Sequence, residues 1–321
     1  MPDISLLRDI ALDVGMSDAS VLEIIQNAPK RYKVYRIPKK GSGFRIIAQP
    51  ARELKTIQRS ISKLVLEKLP VHASAAAYRP KIGIFHNAAV HAGTSPILKL
   101  DFERFFNSIT AEAWRRFVAS QEELRLSRSE MALVTRALFW GEGSKNPSCL
   151  SIGAPTSPLI SNAIMFQFDV EMSNFAEERG LRYTRYADDI VASAKDFKVL
   201  HHFERHVRQY IKKNKTPSLT INESKRAIYS PGDRRLVTGL ILTPDGKISL
   251  GRHRKREISS LIHFFRLGQL DHERLGYLQG LLSFSLSVEH DFVSRMSSKY
   301  GNDVVSAILN YRVPRRDGSP R

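Results

Sequence analysis

Apolar positions recur along this chain at two spacings. Leu6, Leu7, Ile10 and Leu12, then Val21, Leu22, Ile24 and Ile25, fall at helical intervals, so a short acidic helical start is predicted between Ile4 and Asn27. Tyr32-Lys33-Val34-Tyr35-Arg36-Ile37-Pro38 alternates polar and apolar residues instead. Lys40-Gly41-Ser42-Gly43 reads as a turn before a second run, Phe44-Arg45-Ile46-Ile47-Ala48, and together they predict a basic β-hairpin. After Pro50 the helical spacing returns, with Leu54, Ile57, Ile61, Leu64 and Val65 on one face and Lys55, Arg59, Lys63 and Lys68 elsewhere.

The middle of the chain mixes both periods. Ile97-Leu98-Lys99-Leu100 predicts a strand running into Asp101, residues 111–140 predict a helical segment, and Pro158 to Glu178 predict one long helix closed by Gly180. Arg182 to Ala194 reads as strand, turn, strand. Beyond Gly251 the pattern is helical, through Ile258, Leu261, Ile262, Phe265, Leu275, Leu278, Leu281 and Leu282, and residues 312–321 are expected to be a disordered tail. No internal repeat or low-complexity linker interrupts this order, which suits packed subdomains.

Composition narrows the class. With 42% hydrophobic and 9% aromatic residues in 321, the chain reads as globular rather than disordered, collagenous or coiled-coil. No apolar run reaches the ~18 to 20 residues of a membrane span, and the acidic start lacks the basic region of a signal peptide. A soluble, cytoplasmic protein without a membrane partner is expected, and the single Cys149 fits a reducing compartment. Charge is the unusual feature: 50 Lys and Arg against 32 Asp and Glu give a net +18. Residues 30–81 hold 14 of those bases and two acids, whereas residues 1–29 hold one base and five acids. Such concentration points to a polyanionic partner.

Against this basic background stands Tyr186-Ala187-Asp188-Asp189, flanked by Tyr183-Thr184-Arg185 and Ile190-Val191. Adjacent carboxylates repel and call for a compensating cation, although Asp also favours plain surface turns. Asp101 shifts the balance. An acid ending an apolar strand, paired at long range with a double acid in a hairpin, is the arrangement that holds two Mg²⁺ ions ~3.5 to 4 Å apart for phosphoryl transfer. His202 and His206 lie four apart, a spacing that can bind zinc, but no Cys or Glu partner completes such a site.

Tyr-Ala-Asp-Asp in a hairpin, the upstream Asp101-x-x-x-Phe105-Phe106, and Gly153-Ala154-Pro155-Thr156-Ser157-Pro158 before Leu159-Ile160-Ser161-Asn162 resemble the palm motifs of reverse transcriptases. More narrowly, Asn87-Ala88-Ala89-Val90-His91 and Val237-Thr238-Gly239 resemble the Asn-Ala-x-x-His and Val-Thr-Gly elements of the retron, msDNA-synthesising group. The resemblance runs over about residues 30 to 290. It implies that Asp101 and Asp188 ligate metal, that Asp189 completes the acidic site, and that the Phe102 carbonyl is a further candidate ligand. Phe106 matches the ring beneath the incoming sugar, where it would clash with a 2′-hydroxyl; its alternative is core packing, for which Phe105 is the stronger candidate.

Gly153, Ala154 and Pro155 place small, rigid residues where backbone must press on a base pair, and Thr156-Ser157-Pro158 predicts an N-cap with Pro at the first helical position. Many relatives have Gln where this chain has Ile152. Arg45 is assigned to the triphosphate because a guanidinium fork suits phosphate oxygens. Lys39 and Lys40 either assist it or are solvated charges. Leu219-Thr220-Ile221-Asn222-Glu223-Ser224-Lys225 resembles the motif whose Lys nears the pyrophosphate, making Lys225 a candidate general acid or a plain strand-end lysine. Val237, Thr238 and Gly239 match a primer-gripping hairpin. Tyr186 and Asn87 are assigned to primer or RNA, and His91 either touches RNA or caps its local fold. Arg252, Arg254, Lys255 and Arg256 supply phosphate contacts or form a solvated helix end.

The fold implied is an α+β right-hand polymerase with an RRM-like antiparallel palm sheet: fingers with an N-terminal helical arm over 1–100, palm with the acids over 101–250, and helical thumb over 251–311. The function implied is RNA-directed DNA synthesis with dNTPs and two Mg²⁺ ions. By resemblance the template is a cognate structured non-coding RNA, priming starts from a guanosine 2′-hydroxyl, the product is an RNA–DNA hybrid, and an accessory effector encoded nearby serves anti-phage defence. A group II intron-type or other bacterial reverse transcriptase, and a non-catalytic RNA-binding scaffold, are the alternatives. The two retron elements argue against the first, and the three acids against the second.

Overall fold

Two helices, Ser5–Val14 and Asp18–Gln26, form where one acidic segment was predicted. The break falls at Gly15, whose φ of +68° suits a residue without Cβ, and Ser17 caps the second helix by accepting from Ser20 N at 3.2 Å. Strands β1 (Tyr32–Pro38) and β2 (Phe44–Pro50) pair antiparallel, with Tyr32 opposite Pro50 and Pro38 opposite Phe44. Val34, Ile37, Phe44 and Ile46 remain exposed on this hairpin. In the Arg52–Leu64 helix Leu54, Ile57 and Ile61 are fully buried and Arg59 and Lys63 exposed, as the spacing requires.

The computed structural model describes residues 5–39, 43–93, 96–121, 124, 126–230 and 232–312. Lys40, Gly41 and Ser42 of the expected turn, and the expected tail from 313 onward, lie outside the described residues. The chain gathers into two units. The first comprises Met1–Pro80, Leu98–Ala192 and Asp196–Ile228, the second Lys81–Ile97, Ser193–Lys195 and Tyr229–Arg321. Among the described residues no helix is long and apolar enough to cross a membrane.

The first unit is organised by a four-stranded sheet in the order β4-β5-β3-β6, where β3 is Ile97–Asp101, β4 Arg182–Tyr186, β5 Asp189–Ser193 and β6 Ala227–Tyr229. Ile97, Leu98 and Leu100 are all buried, so β3 has an apolar run rather than an alternation, as an interior strand does. The helices Phe166–Glu178 and Phe197–Lys213 contribute Phe168, Met172, Leu200, Phe203 and Val207 to the buried core of this unit.

Two predicted helices are divided. Residues 111–140 form Ala111–Ala119 and Arg128–Leu138, and the long helix from Pro158 becomes Ser157–Ile164 and Phe166–Glu178, separated at Met165 where ψ is 1°. No Gly or Pro marks Met165, so the apolar pattern runs straight across the break. The Arg128–Leu138 helix begins with a capping box in which Ser127 and Glu130 bond each other's backbone N–H groups, at 3.2 and 2.9 Å. Glu130 Oε1 also accepts from Leu6 N and Ser5 Oγ, both at 3.2 Å, so one carboxylate terminates two helices.

Burial works against the Glu130 charge, but hydrogen bonds from Ser127, Leu6 and Ser5 outweigh it and hold the carboxyl below the ordinary glutamate value. A depressed carboxyl contributes stability above its unfolded pKa and loses it as pH falls through the folded one. Glu130→Gln is therefore expected to lower Tm at neutral pH, and its curve to meet the wild type's below about pH 4. A gap that stays constant with pH would assign the loss to packing instead.

The second unit holds a three-stranded antiparallel sheet, β7 (Arg235–Val237), β8 (Leu240–Leu242) and β9 (Ile248–Ser249), with Val237 opposite Leu240. Helices Arg252–Arg266, His272–Val288, His290–Tyr300 and Asn302–Leu309 follow and bury Ile258, Ile262, Leu278, Leu282, Val293 and Ile308.

Candidate active site

Strand pairing brings the three acids together. Asp101 ends β3, Asp189 begins the neighbouring β5, and Asp188 lies in the turn before it; Phe102 N donates to Asp188 O at 3.1 Å, which ties the strand end to the turn. The segment after residue 219 closes the other side. Asp101 O accepts from Asn222 N at 2.8 Å, and Lys225 Nζ lies 2.7 Å from Asp101 Oδ2. Asp101 is 5% exposed. The Phe102 ring packs on Phe105 and Phe168 with centroids 5.9 and 5.8 Å apart, so Phe105 and Phe102 belong to the core.

The electrostatics follow from crowding like charges in a part-buried place. Burial first, then the Asp188 charge, pushes the Asp189 carboxyl up to about 6, and Lys99 opposes the shift. Burial and Asp101 likewise raise Asp188, with Lys225 and Arg45 pulling the other way. Burial alone would depress the Lys225 ammonium, but its hydrogen bond to Asp101 and the charges of all three acids outweigh it and leave its pKa raised. The site thus carries surplus negative charge beside one proton donor. Among the described residues no three His, Cys, Asp or Glu side chains already stand at metal-ligand spacing, and Asp101 Oδ2 is engaged by Lys225. Three carboxylates of this kind nonetheless form the hard oxygen donor set that suits a divalent cation.

A residue that the motif reading passed over holds the turn. Arg185 is completely buried; its Nε and Nη2 donate to Asp169 at 2.8 and 2.6 Å, and its Nη1 to Asn162 Oδ1 at 3.3 Å and Ala187 O at 3.1 Å. Tyr183, two residues earlier on the same face of β4, gives its hydroxyl proton to Asp169 at 2.7 Å. Ala187 has a φ of +57°, and the guanidinium bonds the carbonyl of this left-handed residue immediately before Asp188. The available signal was an arginine at an inward position of a buried strand, two residues from a tyrosine. Tyr186 is half-buried at the end of β4.

Arg45 is exposed on β2, and its charge acts on Asp188. Lys39 is exposed, with its N–H bonded to Gly43 O at 3.0 Å. Phe106 is half-buried between Phe105 and Tyr78, at centroid distances of 5.5 and 6.5 Å. Gly153 has a φ of +123°, and a Cβ there would meet Ala48 O at 3.1 Å and Ile47 Cγ2 at 3.2 Å. The residue before it, Ile152, accepts from Ala48 N at 2.9 Å through its carbonyl, so backbone alone docks β2 at this point. Ala154 is buried and Pro155 half-buried. The predicted Thr156 cap needs correction: its side chain makes no capping bond, its Oγ1 is buried without a hydrogen-bond partner, and Pro158 is the second helical residue. Ser157 Oγ instead bonds Ser151 O at 2.8 Å.

In the second unit the two retron-type elements meet. Thr238 and Gly239 form the two-residue turn between β7 and β8, with φ of +45° and +83°, the pattern of a type I′ hairpin. A β-branched residue resists positive φ. Thr238 is held there by its hydroxyl, which donates to Ile84 O at 3.1 Å and accepts from Asn87 Nδ2 at 3.4 Å. Val237, Asn87 and His91 are buried, and His91 Nδ1 lies 2.7 Å from Ser193 Oγ, so these side chains pack inside the unit. Arg252 and Arg256 are exposed; Arg254 lies over the Phe284 ring at 5.2 Å, and Lys255 pairs with Glu289 at 2.5 Å.

A family model described as reverse transcriptase (RNA-dependent DNA polymerase) matches residues 37–265. The chain is 38% identical over 282 residues to the retron Ec83 reverse transcriptase of Escherichia coli, covering 87% of this chain and 90% of that protein. It is 31% identical over 312 residues to the retron Ec86 reverse transcriptase of the same organism, covering 94% and 93%. Among solved structures, Candida albicans telomerase with a fragment of telomeric RNA is 13% identical, with a TM-score of 0.47 over 87% of this chain; the chain spans 59% of that protein. Enzymes of this family generally use divalent metal ions and dNTPs. With an α+β architecture, antiparallel sheets and a match over most of its length, this chain belongs to the reverse transcriptases, and within them to the retron group of RNA-directed DNA polymerases.

Proposed function

We propose that the acids on β3 and β5 form the polymerisation centre of an enzyme that copies a cognate structured non-coding RNA into msDNA. The observation that carries this reading is the junction of Asp101, Asp188 and Lys225, tied together through Phe102 N and the 2.7 Å Lys225–Asp101 contact. Asp101, Asp188 and the Phe102 carbonyl would hold two Mg²⁺ ions, with Asp189 completing the negative site. When bound, these ions lower the pKa of the attacking hydroxyl and neutralise charge on the leaving pyrophosphate. Lys225, whose Nζ lies 2.7 Å from Asp101 Oδ2, would serve as the general acid toward the departing pyrophosphate. Arg45, with Lys39 beside it, would hold the triphosphate, and Gly153, Ala154 and Pro155 would support the new base pair. Phe106 would exclude a ribose 2′-hydroxyl.

Residues 1–100 would act as fingers, 101–250 as palm and 251–311 as thumb. Exposed Arg252 and Arg256, with Arg254, would contact backbone phosphates, and Tyr186 and the Val237–Gly239 turn the primer. Asn87 and His91 would support that turn from within. Priming from a guanosine 2′-hydroxyl, a cytoplasmic location and an effector partner in anti-phage defence complete the proposal, supported by the identity to retron enzymes over most of the chain. Nucleic acid extracted with the protein from cells carrying its flanking DNA is expected to contain a branched RNA–DNA molecule, sensitive to a 2′-debranching enzyme. Linear products only would reject 2′-priming and leave a general reverse transcriptase.

A further inference from the structure

Tyr78 adopts a backbone conformation that a bulky side chain rarely takes. Its φ is +61°, in the left-handed region where glycine is at ease and an aromatic residue is strained. The chain on both sides enforces it. Ser74 O accepts from Arg185 N and Ala76 N donates to Arg185 O, each at 2.8 Å, so this segment runs along β4. Ala77 O accepts from Asn162 Nδ2 at 2.9 Å, and Asn162 in turn accepts from Arg185 Nη1. On the far side Arg79 folds back, donating from Nη1 to Ala73 O at 2.9 Å. The buried arginine that fixes the acidic turn therefore also fixes the residue before Tyr78.

That strain serves little burial, since Tyr78 is 42% exposed. Its ring lies 6.5 Å from the Phe106 ring, tilted by 50°, a distance and angle suited to an aromatic pair. The Ser74–Ala76 segment pairs with Arg185 on the strand that leads into the acidic turn, and burial first, then the Asp188 charge, raises the Tyr78 phenol, with Arg185 and Arg45 opposing. Strained conformations that persist beside a reacting centre are commonly part of its mechanism.

We propose that Tyr78 is a positioning residue for sugar selection: its ring backs Phe106 and fixes the aromatic face that a ribose 2′-hydroxyl would strike. The inference rests on the reading of Phe106 given above. The test compares incorporation of a dNTP and the matching rNTP on an RNA template–primer by wild type, Tyr78→Gly, Tyr78→Asn, Tyr78→Phe and Phe106→Ala, together with Tm. Gly and Asn both accept the left-handed region, so these variants are expected to keep the wild-type Tm while dNTP over rNTP preference in kcat/KM falls about tenfold, the upper range for one aromatic contact. Tyr78→Phe should retain the preference. Phe106→Ala should lose at least as much, and combining it with Tyr78→Gly should add little. Unchanged preference in both Tyr78→Gly and Tyr78→Asn, with loss in Phe106→Ala, would overturn the role of Tyr78 alone. No change in any variant would overturn the Phe106 reading as well, and loss in the Tyr78 variants without loss in Phe106→Ala would overturn the backing mechanism.

Discussion

Replacing Asp188 and Asp189 together by Asn is expected to abolish DNA synthesis on an RNA template while leaving the fold and RNA affinity in place. Asn keeps the shape of each side chain and removes its charge. Burial first, and then neighbouring carboxylates, raise the pKa of Asp188 and Asp189, so the charges are held in the fold at a cost, and their removal should leave Tm unchanged or higher in metal-free buffer. Chemistry should respond in the opposite direction. Two anionic oxygen donors are lost where the proposed divalent cations would bind, and extension should fall on the order of 10⁴-fold or more, as when a catalytic group is deleted outright. On the proposed reading RNA is bound by exposed cations remote from this pair in sequence, so its affinity and steep weakening with salt should be kept. Extension within tenfold of wild type would sink the assignment of these acids.

The acids illustrate what a sequence makes legible. Asp101 at the end of an apolar run and Asp188-Asp189 between two strands were visible because burial pattern and turn chemistry are local properties. Pairing of β3 with β5 then follows from the need to bury both strands. The basic β1–β2 hairpin and the Arg52–Leu64 helix were legible for the same reason. Three features were not. The break at Met165 carries no Gly or Pro, so only tertiary packing determines it. Thr156 has the side chain of a cap but the backbone of an ordinary helical residue, with φ of −90° and ψ of −24°, and Ser157 takes up the polar contact. Asn87 was assigned to primer or RNA, and His91 to RNA or a local cap, through the resemblance to the Asn-Ala-x-x-His element, which shows nothing of their partners in the fold. Their partners, Thr238 and Ser193, lie over a hundred residues away in sequence, and long-range satisfaction of buried polar groups leaves no local trace. Arg185 was missed for a different reason: its partner Asp169 is only 16 residues away but on a helix, and nothing local in either element marks the pair.

Arg185→Met is expected to cost about 3 to 5 kcal/mol, because it leaves the fully buried Asp169 carboxylate without its counter-charge. The same principle separates stability from function. Replacing the buried ion pair and its hydroxyl partner with apolar residues, Arg185→Met with Asp169→Leu and Tyr183→Phe, removes the uncompensated charge, leaves only Asn162 Oδ1 and Ala187 O short of a donor, and should recover most of the lost stability. It does not restore the donor to Ala187 O. With φ at +57° and that 3.1 Å bond gone, the turn is free to relax toward a right-handed conformation, carrying Asp188 away from Phe102 N and from Asp101. The triple variant should therefore unfold near the wild type in denaturant yet extend a primer at least about tenfold more slowly, with a higher demand for divalent metal. Recovery of both stability and rate would make Arg185 a structural ion pair only. Loss of both in the triple variant would show that the buried charges are needed to specify this packing. Only the split outcome, a stable protein with a misplaced Asp188, is what a guanidinium bonded to the carbonyl beside the proposed metal-binding acid predicts.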